Sequence, residues 1–472
     1  MMRAPAPQGS DDGFRDSLGI VNAEGTRRWL YPQQPAGPLH RFRAATTVML
    51  LGILFGVPFL RIEGHPAFLF NVVERKLILF GKMFGPHDFY LVGLMVITVI
   101  VFIILFTVVF GRLFCGWVCP QTVFMEMVFR KVDFWIEGDA RAQRRLKESP
   151  WNREKLLRKG LKHLLYGAIA FVIANTLLAH SIGIDQLMLL VTSSPAEHTA
   201  TFSAVVGFSV LFYWIFSWFR EQACILVCPY GRLQGVLLDR NSIVIAYDYR
   251  RGEPRGKLQR DRPGASGDCV DCHQCVAVCP TGIDIRNGTQ LECVNCAACI
   301  DACNTVMEKI DRPRGLIRYA SANGIAEGTP LRWTARVIGY SAVLSVLIAV
   351  LSYLLAVRND FDVTILRTPG MFFQERPDSS ISNVYDITIV NKTYADADLS
   401  LRLLSPRGRV EIVGGSLHAQ QQGVLDAKLL VIVPPGTLQA MSTPVLFAIA
   451  AAGGEEQEFH SSFLGPVRRP PR

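Results

Sequence analysis

Residues 89–110, FYLVGLMVITVIVFIILFTVVF, run for twenty-two positions without a charge. A bilayer core takes about 20 apolar residues as helix, and helices buried in soluble proteins rarely reach that length uncharged. Residues 337–357 and 202–219 are also charge-free, and 44–60 and 162–181 are weaker versions carrying Pro58 and Asn175. Five membrane spans are therefore expected. The stretch 66–81 is apolar but holds Glu74, Arg75 and Lys76, and reads as an interfacial or re-entrant segment. Half of the 472 residues are hydrophobic, too many for a soluble enzyme of this length. The formal charge is +9. On so apolar a chain, excess Lys and Arg belongs to the flanks of membrane spans, and nucleic acid is not an expected partner.

Loop charges orient the spans. The tail 1–43 has six Lys/Arg, the loop 111–160 eleven and the loop 220–336 sixteen, against four in 61–88 and none in 182–201. The positive-inside rule puts the tail and the two cysteine-bearing loops in the cytoplasm. Five spans then place residues 358–472 on the far side of the membrane. That tail has eleven Lys/Arg of its own, but long domains translocate largely regardless of charge. The expected order is a disordered cytoplasmic tail (1–43), a transmembrane region (44–246), a cysteine-rich insert (247–320), the fifth span (337–357) and an outer domain (358–472). No cleavable signal peptide is expected, since the first apolar run begins at Ala44 behind a polar tail.

All twelve cysteines then lie in or beside the reducing compartment, so a disulfide framework is not expected. Eight fall within residues 269–303. Cys269, Cys272, Cys275 and Cys279 follow C-x2-C-x2-C-x3-C with Pro280 next; Cys293, Cys296, Cys299 and Cys303 repeat it, with Asn304 in the proline's place. This is the run of a bacterial two-cluster ferredoxin, whose fourth cysteine serves the other cluster. Cys269, Cys272, Cys275 and Cys303 are expected to hold one [4Fe–4S] cluster, and Cys293, Cys296, Cys299 and Cys279 the second. Structural zinc usually pairs two C-x2-C knuckles across a spacer and lacks the third cysteine within each. His273, inside the first run, reads as an exposed spacer.

The other four cysteines form two C-x3-C-P pairs, Cys115/Cys119 in GRLFCGWVCPQT and Cys224/Cys228 in REQACILVCPYGR, 109 positions apart. A lone buried cysteine is usually a small hydrophobe, but two matched pairs just beyond two spans point to ligands. Spacing of i, i+4 would put both sulfurs of a pair on one helix face. Alternatively, because the residue before a proline avoids the helical region and proline suits a helix's first turn, each second cysteine marks a junction between span and new helix. Soft thiolates suit Cu(I), zinc or iron–sulfur centres. Met125 and Met127 could add thioethers, though packing is the simpler reading.

Residues 138–162 are strongly basic and read as a helix on anionic lipid, started by Ser149 and Pro150. Residues 247–264 read as a linker. Beyond 358, FDVTIL, NVYDITIVN, LSLRLL, RVEIV, KLLVIVPPG and PVLFAIAA alternate or run apolar between Gly, Pro, Asn and Asp. Six or seven short strands over about 115 residues suggest a β-sandwich with a docking or structural role.

The assembled pattern of five spans, FCGWVCPQT, CILVCPYGRLQ, two ferredoxin runs and an immunoglobulin-like tail resembles the cytochrome c oxidase accessory protein (CcoG/FixG) family, from about residue 40 to the end. The resemblance implies a role in assembling cbb-type cytochrome c oxidase by reducing Cu(II) to Cu(I) before copper delivery. It implies that Cys115, Cys119, Cys224 and Cys228 bind or contact the copper, and that oxidase-assembly and copper-delivery proteins and a cytoplasmic electron donor are partners. A homodimer is left open. A one-electron carrier suits this step, and no acid–base dyad, nucleophile elbow or phosphate loop stands out. Two alternatives stay open: a polyferredoxin passing electrons between the quinol pool and another respiratory or nitrogen-fixation-linked reductase, and a scaffold that gathers oxidase subunits.

Overall fold

The structure, a computed structural model, describes residues 21, 26–71, 75–257, 267–328, 333–434, 436–438, 440–451 and 456–466. The expected disordered tail over 1–20 and 22–25, and the linker over 258–264, lie outside the described residues. The chain divides into two compact units, one of residues 1–60 and 95–349, the other of residues 61–94 and 350–472.

Five helices are long and apolar enough to cross a membrane: Pro38–Phe59, Pro86–Phe110, Arg153–Ile182, Thr199–Phe219 and Ala335–Ala356. They carry few buried residues because their apolar side chains face outward, as in lipid. Span one starts six residues before Ala44, with Pro38 in its first turn. Residues 26–37, expected as disordered, are tied to the ferredoxin region: Gln33 donates its N–H to Ala277 O at 2.8 Å. Span three begins at Arg153 and absorbs the second half of the basic loop. Its cap is Asn152, whose side chain accepts from Lys155 N–H, and not Ser149, which ends the preceding helix Ala140–Glu148. Asn152 caps because it directly precedes the helix and its side-chain oxygen reaches the N3 N–H of Lys155, while Ser149 Oγ is turned back to Leu146 O.

A buried charge network joins these elements. Asp133, 2% exposed, faces Lys162 Nζ at 2.8 Å and Arg220 Nη2 at 2.9 Å and accepts from Tyr166 OH at 2.7 Å. Glu137 takes Lys159 at 2.7 Å. Charges at 126, 130, 133 and 137 line one face of the helical run that ends at Glu137, so polar groups substitute for a greasy stripe there. Between the fourth and fifth spans in sequence lies the ferredoxin region, flanked by paired strands Val244–Tyr247 and Ile317–Ala320.

In the second unit, residues 361–464 form a β-sandwich. One sheet orders Arg409–Val413, Val424–Val433, Ile381–Asn391 and Phe361–Arg367, with Gln374–Glu375 on Ile381–Asn391; the other orders Leu417–Ala419, Ala397–Ser405, Ser442–Ala451 and Gln457–Leu464. Tyr385, Phe447, Phe463, Ile389, Val431 and Leu429 fill the space between the sheets. The segment expected as interfacial or re-entrant forms three antiparallel strands, Phe68–Asn71, Lys76–Leu79 and Lys82–Phe84, so it is not a re-entrant helix. Backbone pairing of Lys76–Leu79 with strands on both sides outcompetes a re-entrant helix interrupted by three charges. Asp88, 1% exposed, pairs with Arg358 and Lys392, each at 2.8 Å.

Burial alone would raise the Asp133 carboxyl, but Arg220 and Lys162 outweigh it and hold it at about 2. The stability it adds is complete above the ordinary carboxylate pKa of about 3.9 and is lost as pH falls through about 2. Asp133→Asn takes from two buried cations their nearest carboxylate, leaving only the longer approaches of Glu137 and Glu221, and the expected loss is roughly 3 kcal/mol. A lower unfolding midpoint of the detergent-purified protein reads it; Glu154→Gln, on the exposed pair with Arg158, should cost less than about 1 kcal/mol.

Candidate functional site

The two ferredoxin runs are one unit used twice: Cys269, Cys272, Cys275 and Cys279 recur twenty-four positions on as Cys293, Cys296, Cys299 and Cys303. The backbone repeats too. Asp271 and His273 take left-handed φ of 53° and 54°, and Asn295 and Ala297 take 54° and 65°. Left-handed residues on both sides of the middle cysteine coil the chain tightly, so three sulfurs two residues apart turn inward. His273 and Ala297 then begin helices Gln274–Ala277 and Ala298–Lys309.

The sulfurs sort into the two interleaved sets. Cys303 is raised to about 12 by burial and by the neighbouring Cys269 and Cys272. Cys293 is raised to about 12 by burial, with Cys279 and Cys296 adding to it. Cys275 is likewise pushed up to about 12 by burial. An apolar shell including Ile245, Ile285, Ile300, Met307, Leu316 and Ile317 surrounds them. Thiols held this high stay protonated at neutral pH unless a metal displaces the proton. All twelve cysteines are free. Among the described residues, no three His, Cys, Asp or Glu side chains converge tightly enough for a single ion. Sulfurs around zinc crowd to about 2.3 Å from the metal, whereas a cube spreads its ligands over four corners. Eight thiols in two such runs are a donor set suited to iron–sulfur clusters.

The C-x3-C-P pairs share one local backbone. Cys119 donates its N–H to Phe114 O, and Cys228 to Ala223 O, both at 2.9 Å and both five residues back. This wide turn replaces the regular i, i+4 geometry. Cys119 (φ −57°, ψ 123°) and Cys228 (φ −64°, ψ 110°) are extended, as a residue before proline must be. Each is the junction to a new helical run, 120–137 after Cys119 and Pro229–Leu237 after Cys228.

The two pairs come together across the repeat. Cys115 Sγ donates to Gln234 Oε1 at 3.3 Å. Tyr230 OH meets Thr107 Oγ1 at 2.9 Å, and its ring stands edge-on to Phe114 at 6.2 Å. Burial pushes Cys115 up to about 11, with Cys119 and Cys228 adding repulsion. Burial pushes Cys224 up to about 12, with Cys119 and Cys115 adding theirs. Gln234 is fully buried and its Nε2 has no partner in the protein. A cavity lined by Arg112, Cys224, Gly231, Arg232, Gln290 and Glu292 opens beside the quartet. Met125 packs with Phe124, Phe129 and Phe216 in an apolar cluster, which makes it a packing residue.

One end of the quartet, Cys115, lies against the second cluster set. Cys115 packs against the apolar group of Val278, Val294, Cys296 and Ala298. Gly116 meets the backbone of Val294 and Asn295, and a Cβ there would sit 2.3 Å from Val294 O. Trp117 Nε1 donates to Asn295 O at 3.2 Å. Arg43 Nε donates to Gly116 O at 2.7 Å, and Arg112 donates to Leu291 O and Gly231 O. Sequence reasoning singled out every cysteine here and missed Arg43, Arg112, Trp117, Gln234 and Asn295. Trp117 and Asn295 sit inside the cysteine motifs, so their position was the available signal. Arg43, far away in sequence, had none.

Comparison with known proteins agrees with this geometry. The 4Fe-4S dicluster domain family matches residues 219–322, a 4Fe-4S binding domain family matches 92–139, and the IG-like fold at the C-terminus of FixG matches 351–466. Protein RdxA of Cereibacter sphaeroides is 34% identical over 90% of this chain and 94% of its own length. Protein RdxB of the same organism is 34% identical over 80% and 82%. The nitrogen fixation protein FixG of Rhizobium meliloti is 30% identical over 87% of each chain. Its membrane helices, iron–sulfur region and terminal sandwich, matched along nearly their whole length by these relatives, place the chain in the FixG family of iron–sulfur membrane electron-transfer proteins.

Proposed function

We propose that this electron carrier reduces Cu(II) to Cu(I) for assembly of a cbb-type cytochrome c oxidase. The observation that carries the reading is the packing of Cys115 against the apolar group that includes Cys296, which brings one thiol of the quartet up to the second iron–sulfur ligand set. Cys269, Cys272, Cys275 and Cys303 hold one [4Fe–4S] cluster, and Cys279, Cys293, Cys296 and Cys299 the other. The clusters supply one electron at a time, which is what Cu(II) needs to become Cu(I). Cys115, Cys119, Cys224 and Cys228 receive copper as substrate, reached through the cavity beside Cys224, and their soft sulfurs favour the reduced ion. The ferredoxin region faces the cytoplasm, where a soluble donor supplies electrons; the sandwich faces the periplasm, where copper-delivery and oxidase-assembly proteins act.

A second reading has its own support. The 4Fe-4S binding family matched over 92–139 covers Cys115 and Cys119 and no other cysteine. On that reading the quartet holds a third cluster, and the chain passes electrons onward to another reductase. Metal analysis separates the two: about eight irons per chain accompany two cubes and about twelve accompany three.

Replacing Cys115, Cys119, Cys224 and Cys228 together by Ser should leave the two-cluster EPR signal in place and abolish Cu(II) reduction by the dithionite-reduced protein. Reduction at the parent rate would show that copper is reduced elsewhere. The raised thiol pKa values also fix a pH dependence. Cys115 and Cys224, at about 11 and about 12, are protonated at neutral pH, so copper must displace protons and its affinity should climb as pH rises. The expected gain is roughly tenfold per pH unit for each proton released, measured by competition with a Cu(I) chelator between pH 6 and pH 9; a flat profile would contradict it.

A further inference from the structure

Arg43 is 3% exposed and Arg112 is 8% exposed. Both donate only to backbone carbonyls, Arg43 to Gly116 O and Arg112 to Leu291 O and Gly231 O. Arg43 Nη2 and Arg112 Nε have no partner. Among the described residues, no carboxylate pairs with either. A buried cation without a counter-charge is costly, and two of them flank the same loop, the one that carries Cys293 and Cys296.

The first cluster set is arranged the opposite way. Arg286 pairs with Asp271 at 2.5 Å and Asp284 at 2.6 Å, and Arg251 and Arg312 each reach Asp268 at 2.7 Å. Three arginines there meet three carboxylates. On the second side, Glu126 is matched to Arg130 at 3.2 Å. Asp301 accepts from the N–H groups of Leu39 and His40, at the start of span one, so its charge answers a helix N-terminus. Glu292, buried beside Cys293, is the one further carboxylate on this loop and makes no ion pair among the described residues, so at the second set two unpaired arginines stand against one unpaired carboxylate.

Reducing a thiolate-bound cube adds one negative charge. In a buried, poorly screened site a nearby uncompensated cation stabilises that charge, and a paired one does so far less. We propose that Arg43 and Arg112 raise the potential of the cluster held by Cys279, Cys293, Cys296 and Cys299 above that of its neighbour, making it the last carrier before the quartet. Electrons then enter at the first set, where Cys272 is exposed, and run downhill toward Cys115. This rests on the assignment of the eight cysteines to two clusters and deepens the proposed route; it does not depend on what the quartet binds.

Potentiometric titration of the full-length protein, followed by low-temperature EPR, tests it. Two midpoints are expected in the parent, and a Cys272→Ser variant identifies which belongs to the second set. Arg43→Gln with Arg112→Gln should shift the higher midpoint downward and leave the lower one in place, while Arg43→Lys with Arg112→Lys should keep both. The reverse change is available at a half-exposed side chain: Asp271→Asn removes one of the two carboxylates on Arg286, leaving Asp284, and should raise the lower midpoint, narrowing the gap. Midpoints that move together, or an unchanged gap in Asp271→Asn, would overturn the proposal. Loss of copper reduction in the quartet Ser variant reports on the copper reading separately, because that variant keeps both cluster midpoints.

Discussion

The close approach of Gly116 to the backbone of Val294 and Asn295 is the contact on which the rest of the site depends. A side chain at 116 would collide with Val294 O. Its absence lets the C-G-W-V-C segment lie flat on the C-V-N-C segment, so sulfurs from distant parts of the sequence become neighbours. Polar groups then fix the approach. Arg43 from span one holds Gly116 O, Trp117 holds Asn295 O, and Tyr319 OH donates to the same carbonyl at 2.9 Å. Three regions of the chain are thereby pinned to one patch of backbone. Electron transfer weakens steeply with distance, and a patch pinned by hydrogen bonds keeps the distance from drifting.

Burial has a second consequence at this patch. A thiol in an apolar shell is pushed toward its neutral form, and each neighbouring sulfur pushes it further. The same shell that keeps water from an electron carrier therefore resists empty thiolates and accepts metal-bound ones. Metal loading and consolidation of this region are coupled. Positive charge is placed by the same economy of contacts: Arg112 spans from Leu291 O at the cluster loop to Gly231 O beside Cys228, serving both sites with one side chain.

Much of this was legible in the sequence because its signals are local. Charge-free runs mark the spans, cysteine spacing marks the cluster unit, and a proline after each second cysteine marks a helix junction. What escaped depends on contacts between distant segments. Strand Gln457–Leu464 reads as polar, with Phe459 and Phe463 alone facing inward, because it lies at a sheet edge and pairs only with Ser442–Ala451. The strands over 68–84 escaped because three charges interrupt an apolar run, and tertiary pairing decides such cases. Asn152 and Ser149 are both acceptable caps, and only the path of the preceding helix chooses between them. Arg43 looks like one more basic residue before a span until its guanidinium is seen inside the protein.

The internal repeat explains how one local design yields an asymmetric site. Both cysteine pairs close with the same N–H to carbonyl bond five residues back, but their continuations diverge. Gln234, which accepts from Cys115, lies 109 positions after Met125, which is packed in an apolar core. Gly231 lies 109 positions after Thr122, so one half presents a hydroxyl and the other leaves room for the Arg112 guanidinium. The first half also extends through Arg130, Asp133 and Glu137 into the buried charge network, and so anchors the quartet to spans three and four. The second half stops at Leu237 and borders the cavity beside Cys224. A site closed by rigid structure on one face and open on the other can hold its geometry while its cargo enters and leaves, which a symmetric cage of four thiols could not do.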